Sequence, residues 1–345
     1  TAGMSQIALA GDSVYVNTSS LRYRTSAQIK DNNIAGNLSY GQKLERVGTS
    51  GQWTMILLNG KKYYVSSAYV TSKKPASAGA VQTTSQTAAG AQTSGGTAIA
   101  LSSNYKYANY SKINSGTATL YRSTASNKKN KVVCVNAGHG TNGGGRVKTQ
   151  CHPDGSAKVT GGTTGAGATS AVAVSSGMTF ADGTAESKVT LAMAKVLKTK
   201  LLNAGYDVLM IRESDDVQLD NIARTVIANN NADCHIALHW DSTSSNKGAF
   251  FMSVPSNATY RAMEPVASHW KQHNQLGESL ISGLKSAGVK IYSKGSMEMD
   301  LTQTSYSTIP SVDIELGDKA SDHSGATLET LANGLLTGVN TFFGQ

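Results

Sequence analysis

The stretch Lys131-Val-Val-Cys-Val-Asn-Ala-Gly-His-Gly140 constrains this chain more than any other. An apolar run of strand length that stops at a histidine between two glycines predicts a buried strand delivering one side chain at its tip. Gly138 and Gly140 permit backbone conformations and close approaches that a side chain would block. A histidine so placed is either a structural residue or a ligand. The residues downstream decide between the two.

From position 131 onward, strand and helix patterns alternate. Strands are predicted at 131–136, 206–212, 234–239, 249–254, 289–292 and 311–316. Helices are predicted at 186–204, 218–230, mainly across 262–287, and at 326–343. The first carries Val189, Ala192, Met193, Val196, Leu197 and Leu201 on one face and has Gly205 as its stop. Units of this kind imply an α/β fold, a largely parallel central sheet of about six strands flanked by helices on both faces. Ligands in such sheets collect at the carboxyl ends of the strands. His139, His239 and Glu315 each fall at that end of a predicted strand.

The front of the chain reads differently. Residues 11–72 break into short alternating segments separated by Gly, Asn and Ser, the pattern of a small all-β barrel. Asn59-Gly60 is a type I′ hairpin signal. Residues 1–75 carry nine Lys/Arg against three Asp/Glu, so most of the formal net charge of +9 sits here. Such a module is either a solvated basic face or a docking surface for a polyanion such as a wall polymer, nucleic acid or anionic membrane. Residues 73–103 are read as a flexible tether, uncharged from 76 onward and rich in Ala, Ser, Thr, Gly and Gln. Four tyrosines in 104–130 are too many for a linker, so that segment is expected to dock on the core at 131–345. Cys134, Cys151 and Cys234 are too few and too dispersed for a disulfide framework. No apolar run reaches the roughly 18 residues of a membrane span. With 15% charged residues the profile suits an exported protein, in which case a leader is expected to have been removed; the alternative is that none existed.

His139 and His239 each end an apolar strand, five residues after Cys134 and Cys234. Parallel strands of matched phase would set the two imidazoles side by side. If they share a cation, tetrahedral coordination calls for a third protein ligand and leaves one position for water. Glu186 opens the first helix, where the helix dipole favours a carboxylate. It is a candidate for that ligand, or a simple first-turn acid.

Two resemblances follow. Leu21-Arg-Tyr-Arg-Thr-Ser26, Gly51-Gln-Trp-Thr-Met-Ile56 and Tyr63-Tyr-Val-Ser-Ser-Ala-Tyr-Val70 resemble a bacterial SH3 (SH3b) domain, a module that usually targets cell walls. That implies a ligand groove lined by Trp53, Tyr63, Tyr64 and Tyr69, although Trp53 reads better as barrel core. Asn-Ala-Gly-His139-Gly, Ala-Glu186-Ser, Ile211-Arg-Glu-Ser-Asp-Asp216, Asn221-Ile-Ala-Arg-Thr-Val-Ile-Ala-Asn229, Ala-Asp-Cys-His-Ile-Ala-Leu-His239 and Ile-Glu315-Leu-Gly resemble, in order, the zinc N-acetylmuramoyl-L-alanine amidases of the Amidase_3 type. The resemblance implies one Zn2+ held by His139, Glu186 and His239, with Glu315 as the catalytic carboxylate. It also implies peptidoglycan as substrate, anionic wall polymers rather than nucleic acid as further partners, and a secreted, wall-associated autolysin. Rival readings are a zinc peptidase acting on stem peptides and a wall-binding protein without turnover.

The chain departs from the family pattern around the ligands. Asn136-Ala137 stands where Asp-Pro is common, Asp313 where an apolar residue is common, and Trp240-Asp241 where Ala-Asn is frequent. Asn136, Asp241 and Asp313 are therefore candidates for a rearranged set of contacts behind the metal. Asp313 is expected either to take over a hydrogen-bonding role or to raise the Glu315 pKa. The long segment 141–185 is expected to cover the site and form part of a peptide groove. Within it, Cys151-His152 lacks the spacing of a structural zinc site, and Gly161-Gly-Thr-Thr-Gly-Ala-Gly167 lacks the Lys-Ser/Thr of a phosphate loop.

Overall fold

A computed structural model describes residues 12–18, 20–75 and 95–345. They fall into two compact units, 1–80 and 81–345. Most of the expected tether, 76–94, lies outside the described residues.

The first unit is one antiparallel sheet of seven strands: β1 (Asp12–Val16), β2 (Ser20–Arg24), β3 (Ile34–Ser39), β4 (Lys43–Ser50), β5 (Trp53–Leu58), β6 (Lys61–Ser66) and β7 (Val70–Thr71), in the order β3-β2-β6-β5-β4-β1-β7. Asn59 and Gly60, with φ of 50° and 75°, make the hairpin turn between β5 and β6. Val14, Val16, Leu21, Leu38, Leu44, Ile56, Val65 and Tyr69 form its core. Tyr69 is thus a packing residue and not the groove lining expected of it. Trp53 is corrected the other way. The alternation of β5 turns Thr54 and Ile56 inward, leaving Trp53 half-buried and outside the core. Tyr63 packs edge-on against Tyr23, and Tyr64 lies half-buried on the opposite face of β6.

The second unit is a three-layer α/β structure. Its strands are β8 (Thr97–Ala100), β9 (Thr117–Tyr121), β10 (Val132–Ala137), β11 (Lys148–Gln150), β12 (Ser170–Val172), β13 (Asp207–Met210), β14 (Cys234–Asp241), β15 (Ala249–Ser253), β16 (Ile291–Glu298) and β17 (Ser311–Asp318). Its helices are α1 (Glu186–Ala204), α2 (Asn221–Asn231), α3 (Ala258–Ala262), α4 (Val266–Ser286), α5 (Thr302–Tyr306) and α6 (Gly325–Phe343). The main sheet runs β16-β15-β17-β14-β10-β13-β9-β8, and β11 and β12 pair separately. Pairs along β13-β10-β14-β17 are parallel, whereas β15 against β17, β13 against β9 and β8 against β9 are antiparallel. The sheet is therefore mixed and eight-stranded, not the largely parallel six expected. Two of the extra strands come from the segment ahead of residue 131, because β8 and β9 cap the β13 edge. The tether accordingly ends before Thr97, not at 103.

Apolar burial holds the layers together. Val133, Val135, Ile236, Leu238, Val312 and Ile314 meet Met193, Leu197, Leu201, Leu276, Leu280, Leu331 and Leu335 of α1, α4 and α6 on one face. Cys134, Leu209 and Ile211 meet Ala223 and Ile227 of α2 on the other. Each fully buried aliphatic side chain contributes roughly 1.5–3 kcal/mol. In α1 the buried face includes Val189, Met193, Ala194, Leu197 and Leu201, which leaves Ala192 exposed. The helix stops at Gly205, whose φ is 102° and whose Cβ would lie 1.9 Å from the Asn127 carbonyl oxygen. Tyr107 and Tyr110 of the docking segment pack on Tyr306, with Ile222 and Val226 beneath. Among the described residues, no helix is long and apolar enough to cross a membrane.

Candidate metal centre

The centre forms where β10, β14 and β17 end beside the start of α1. His139 lies two residues past β10 with φ of 65°, a left-handed conformation for a non-glycine residue. Its neighbours explain the glycines. A Cβ on Gly138 would stand 2.2 Å from the His239 ring, and one on Gly140 would stand 2.4 Å from the Arg212 guanidinium.

The turn matters because the matched Cys-to-His spacing does not bring the imidazoles together. β10 and β14 pair with Cys134 opposite His235, one residue out of the expected phase. On these strands Cys134 shares the sheet face of His235 and His239, while Cys234 points to the other. Both thiols are buried, and burial raises their pKa values. His139 reaches its partner only by leaving the strand.

Three atoms converge there. His139 Nε2 lies 2.9 Å from Glu186 Oε2 and 3.1 Å from His239 Nδ1, and His239 Nδ1 lies 3.3 Å from Glu186 Oε2. The hydrogen bonds outside this triangle set what the atoms offer. His139 Nδ1 donates to the Ser175 carbonyl oxygen at 2.8 Å, which leaves Nε2 as a lone pair. Asp313 Oδ2 stands 3.5 Å from His239 Nε2, favouring the proton there and the lone pair on Nδ1. Glu186 accepts from the backbone N–H groups of Met178 and Trp240, both at 3.1 Å. It is therefore no simple helix-start acid, since it turns inward and is 3% exposed. Burial works against its charge, but the two imidazoles beside it, His139 and His239, outweigh that and hold the pKa well below the usual carboxylate range.

In these tautomers two imidazole lone pairs and a carboxylate oxygen face one another, and against the effect of burial Asp313 and Glu186 raise the His239 pKa. A single proton cannot serve all three, whereas a cation can. Their separations of 2.9–3.3 Å are a few tenths of an ångström tighter than the about 3.3–3.6 Å that ligand bonds of about 2.0–2.2 Å set in a tetrahedron, so a small spread of the three side chains would admit one. The donor set fits a divalent metal.

Asp313 and Glu315 lie on the same side of β17, next to His239 and within 4.8 Å of it and of each other, ligand atom to ligand atom. Burial raises the Glu315 pKa well above the normal range, and the Asp313 and Glu186 charges add to it. Burial also raises Asp313, against the pull of His239. Asp313 Oδ1 and Glu315 Oε2 are buried with no hydrogen-bond partner among the described residues. Asp313 thus faces His239 Nε2 at 3.5 Å and adds its charge to the rise at Glu315. Asp241 does not join the ligands. Lys247 holds its Oδ2 at 2.6 Å, and Thr243 caps the same oxygen.

Asn136 sits one layer below, donating to His235 Nε2 at 3.0 Å and accepting from Arg224 at 3.1 Å. Burial first, and then Arg224, pull His235 down to about 3 and keep it neutral. Arg224 also donates to the carbonyls of Leu219, Ala137 and His139, and Arg212 to those of Ala137, Gly138 and Ser187. These two buried arginines, together with Ser175, Met178 and Trp240, are contacts the sequence reading did not assign. Arg224 carried a signal, being a charge inside the apolar run Ile222-Ala223 to Val226-Ile227. An Arg224→Met variant strands several buried acceptors at about 1–3 kcal/mol each. It is expected to lose at least about 3 kcal/mol of stability, read from the urea midpoint.

Residues 133–332 match the Amidase_3 family, N-acetylmuramoyl-L-alanine amidase. The chain belongs to this family. Solved amidases with a similar fold include Ami1 of Mycobacterium smegmatis, at 19% identity and a TM-score of 0.47 over 64% of this chain and 99% of that one. The Clostridium difficile 630 amidase has 18% identity and a TM-score of 0.45, covering 62% and 97%. AmiC2 of Nostoc punctiforme has 15% identity and a TM-score of 0.44, covering 64% and 100%. A search of curated proteins finds no match. The amidase match begins at Val133 and takes in the whole constellation, from His139 to Glu315.

Proposed function

We propose that the protein is a secreted, zinc-dependent peptidoglycan hydrolase that cuts the amide between the lactyl group of N-acetylmuramic acid and L-alanine. The observation that carries this reading is the convergence of His139 Nε2, Glu186 Oε2 and His239 Nδ1, 2.9–3.3 Å from one another, beside a buried carboxyl. His139, Glu186 and His239 would hold the zinc. When bound, zinc supplies a Lewis acid for the scissile carbonyl and lowers the pKa of water toward about 7.

Glu315 handles the proton. An amide leaves as an amine only if its nitrogen is protonated, so one group must take a proton from water and return it to nitrogen. A carboxyl whose pKa is raised by burial and by Asp313 binds that proton more readily than an exposed one, and its unpartnered Oε2 is open to a donor. The basic first unit would hold the enzyme on anionic wall polymers, raising its effective concentration at an insoluble substrate. Trp53 and Tyr64, outside the core of that unit, remain candidates for the contact.

Digestion of purified peptidoglycan followed by mass spectrometry tests the reading. The expected products are intact stem peptides with a free L-alanine amino terminus, absent when a chelator is present. Cleavage within the stem peptide would make the protein a peptidase, and no cleavage at all a wall binder.

A further inference from the structure

The segment 175–178 lies against the metal centre and touches two of the three ligands, His139 and Glu186. Ser175 follows a pinned stretch. Ala173 and Val174 are 1% exposed, the Ala173 N–H donates to the Val147 carbonyl, and its carbonyl accepts from the Asn221 N–H that opens α2. From that anchor the Ser175 carbonyl takes the His139 Nδ1 proton at 2.8 Å, with Ser175 Oγ at 3.1 Å from the same nitrogen. Two residues on, Gly177 has φ of 82°, and a Cβ there would stand 2.8–3.0 Å from Cδ2, Cγ and Nε2 of His139. One residue further, the Met178 N–H donates to Glu186 Oε1, and the Met178 carbonyl accepts the Glu186 N–H at 2.9 Å.

We infer that 175–178 is a strap that positions His139 and Glu186 for the metal, with Gly177 as the residue that lets it close. The inference rests on the metal-binding reading above. Ser175 fixes the tautomer, since an Nδ1 committed to a carbonyl leaves only Nε2 to bind a cation. The Gly177 backbone lies against the ring and sets its rotation. Met178 occupies Glu186 Oε1, so that Oε2 is the oxygen turned toward the imidazoles. Partners of metal ligands of this kind typically carry about 10–100-fold in metal affinity. The centre is then incomplete without the long segment 141–185, although none of its residues reaches the metal.

The test is zinc affinity of the full chain, measured by competition with a chromophoric chelator. Gly177→Ala forces both a positive φ on a side chain and a methyl into the His139 ring. Gly183→Ala is the control, because Gly183 has φ of 90° in the same segment and nothing within 4 Å of its Cβ position. Gly177→Ala is expected to weaken zinc binding by about 10–100-fold while Gly183→Ala stays within about threefold of the parent chain. Ser175→Ala, which keeps the carbonyl, is expected to show a smaller loss than Gly177→Ala. Unchanged affinity in Gly177→Ala overturns the strap, and so does an equal loss in Gly183→Ala, which would assign the effect to backbone strain alone. If the parent chain itself binds no zinc, it is the metal reading that fails. Thermal melts of the zinc-free proteins separate misfolding from lost affinity, since a Gly177→Ala chain that melts well below Gly183→Ala without metal overturns the inference too.

Discussion

A Glu315→Gln variant keeps its zinc and loses about 10²–10⁴ in kcat on purified peptidoglycan. The side chain keeps its shape, so the pairing of β17 with β14 and β15 and the packing of Phe250 opposite position 315 survive. What disappears is a group that can take a proton and give it back. The metal stays because Glu315 is not among the three converging ligands. Metal content by atomic emission, next to turnover, separates this outcome from a loss of the ion. Turnover within about threefold of the parent, with zinc bound, would remove Glu315 from the mechanism. Asp313→Leu is the companion. It leaves Glu315 buried but removes a negative neighbour, so the Glu315 pKa falls and the limb of the pH–rate profile that reports it moves to lower pH.

The helices and the parallel centre of the sheet were legible because each leaves a periodic mark. Helix α1 shows a 3.6-residue stripe ending at a glycine, and β10, β14 and β17 carry apolar runs with a His or Glu close to their carboxyl ends. The edges were less legible for a physical reason. Strands β8 and β9 are short and Thr/Ala-rich, and they become strands because the β13 edge offers hydrogen bonds to β9 and β9 in turn to β8. Strand β16 was expected at 289–292 and runs instead over Ile291–Glu298, pairing with β15 through Ile291, Ser296, Met297 and Glu298 across a register shift that breaks the periodic pattern.

The site divides along the same line. His139, Glu186, His239 and Glu315 were found from chain position and motif, and the structure brings them together. The backbone groups that aim them carry no side-chain signal, as with the Ser175 carbonyl and the N–H groups of Met178 and Trp240. Cys134 and Cys234 show the opposite hazard. Their equal distance from the two histidines looked like a register, yet the strands pair one residue out of phase, and a positive φ at His139 makes up the difference.

The largest stability change expected on metal binding follows from the same geometry. Zinc at a thousand times its dissociation constant stabilises a protein that binds it only when folded by about 4 kcal/mol. The melting temperature of the parent chain should therefore rise on zinc addition and fall back with a chelator. Glu186→Ala should abolish that response and the hydrolytic activity together. Two imidazoles remain, but the anionic ligand that balances the cation's charge is gone. If affinity drops a thousandfold at the same zinc concentration, the stabilisation shrinks to about 0.4 kcal/mol. The zinc-free variant should also melt below the zinc-free parent, because the Met178 and Trp240 N–H groups lose their acceptor. Glu186→Gln separates the two effects. The two N–H groups bond different carboxylate oxygens, and the single amide oxygen can replace only one of them, so zinc-free stability recovers part of the way toward the parent while the zinc response stays weak. Were Glu186→Ala to bind zinc as tightly as the parent, the carboxylate would be a structural anchor for the 178 and 240 backbone and not a ligand, and the third ligand would have to come from elsewhere in the chain.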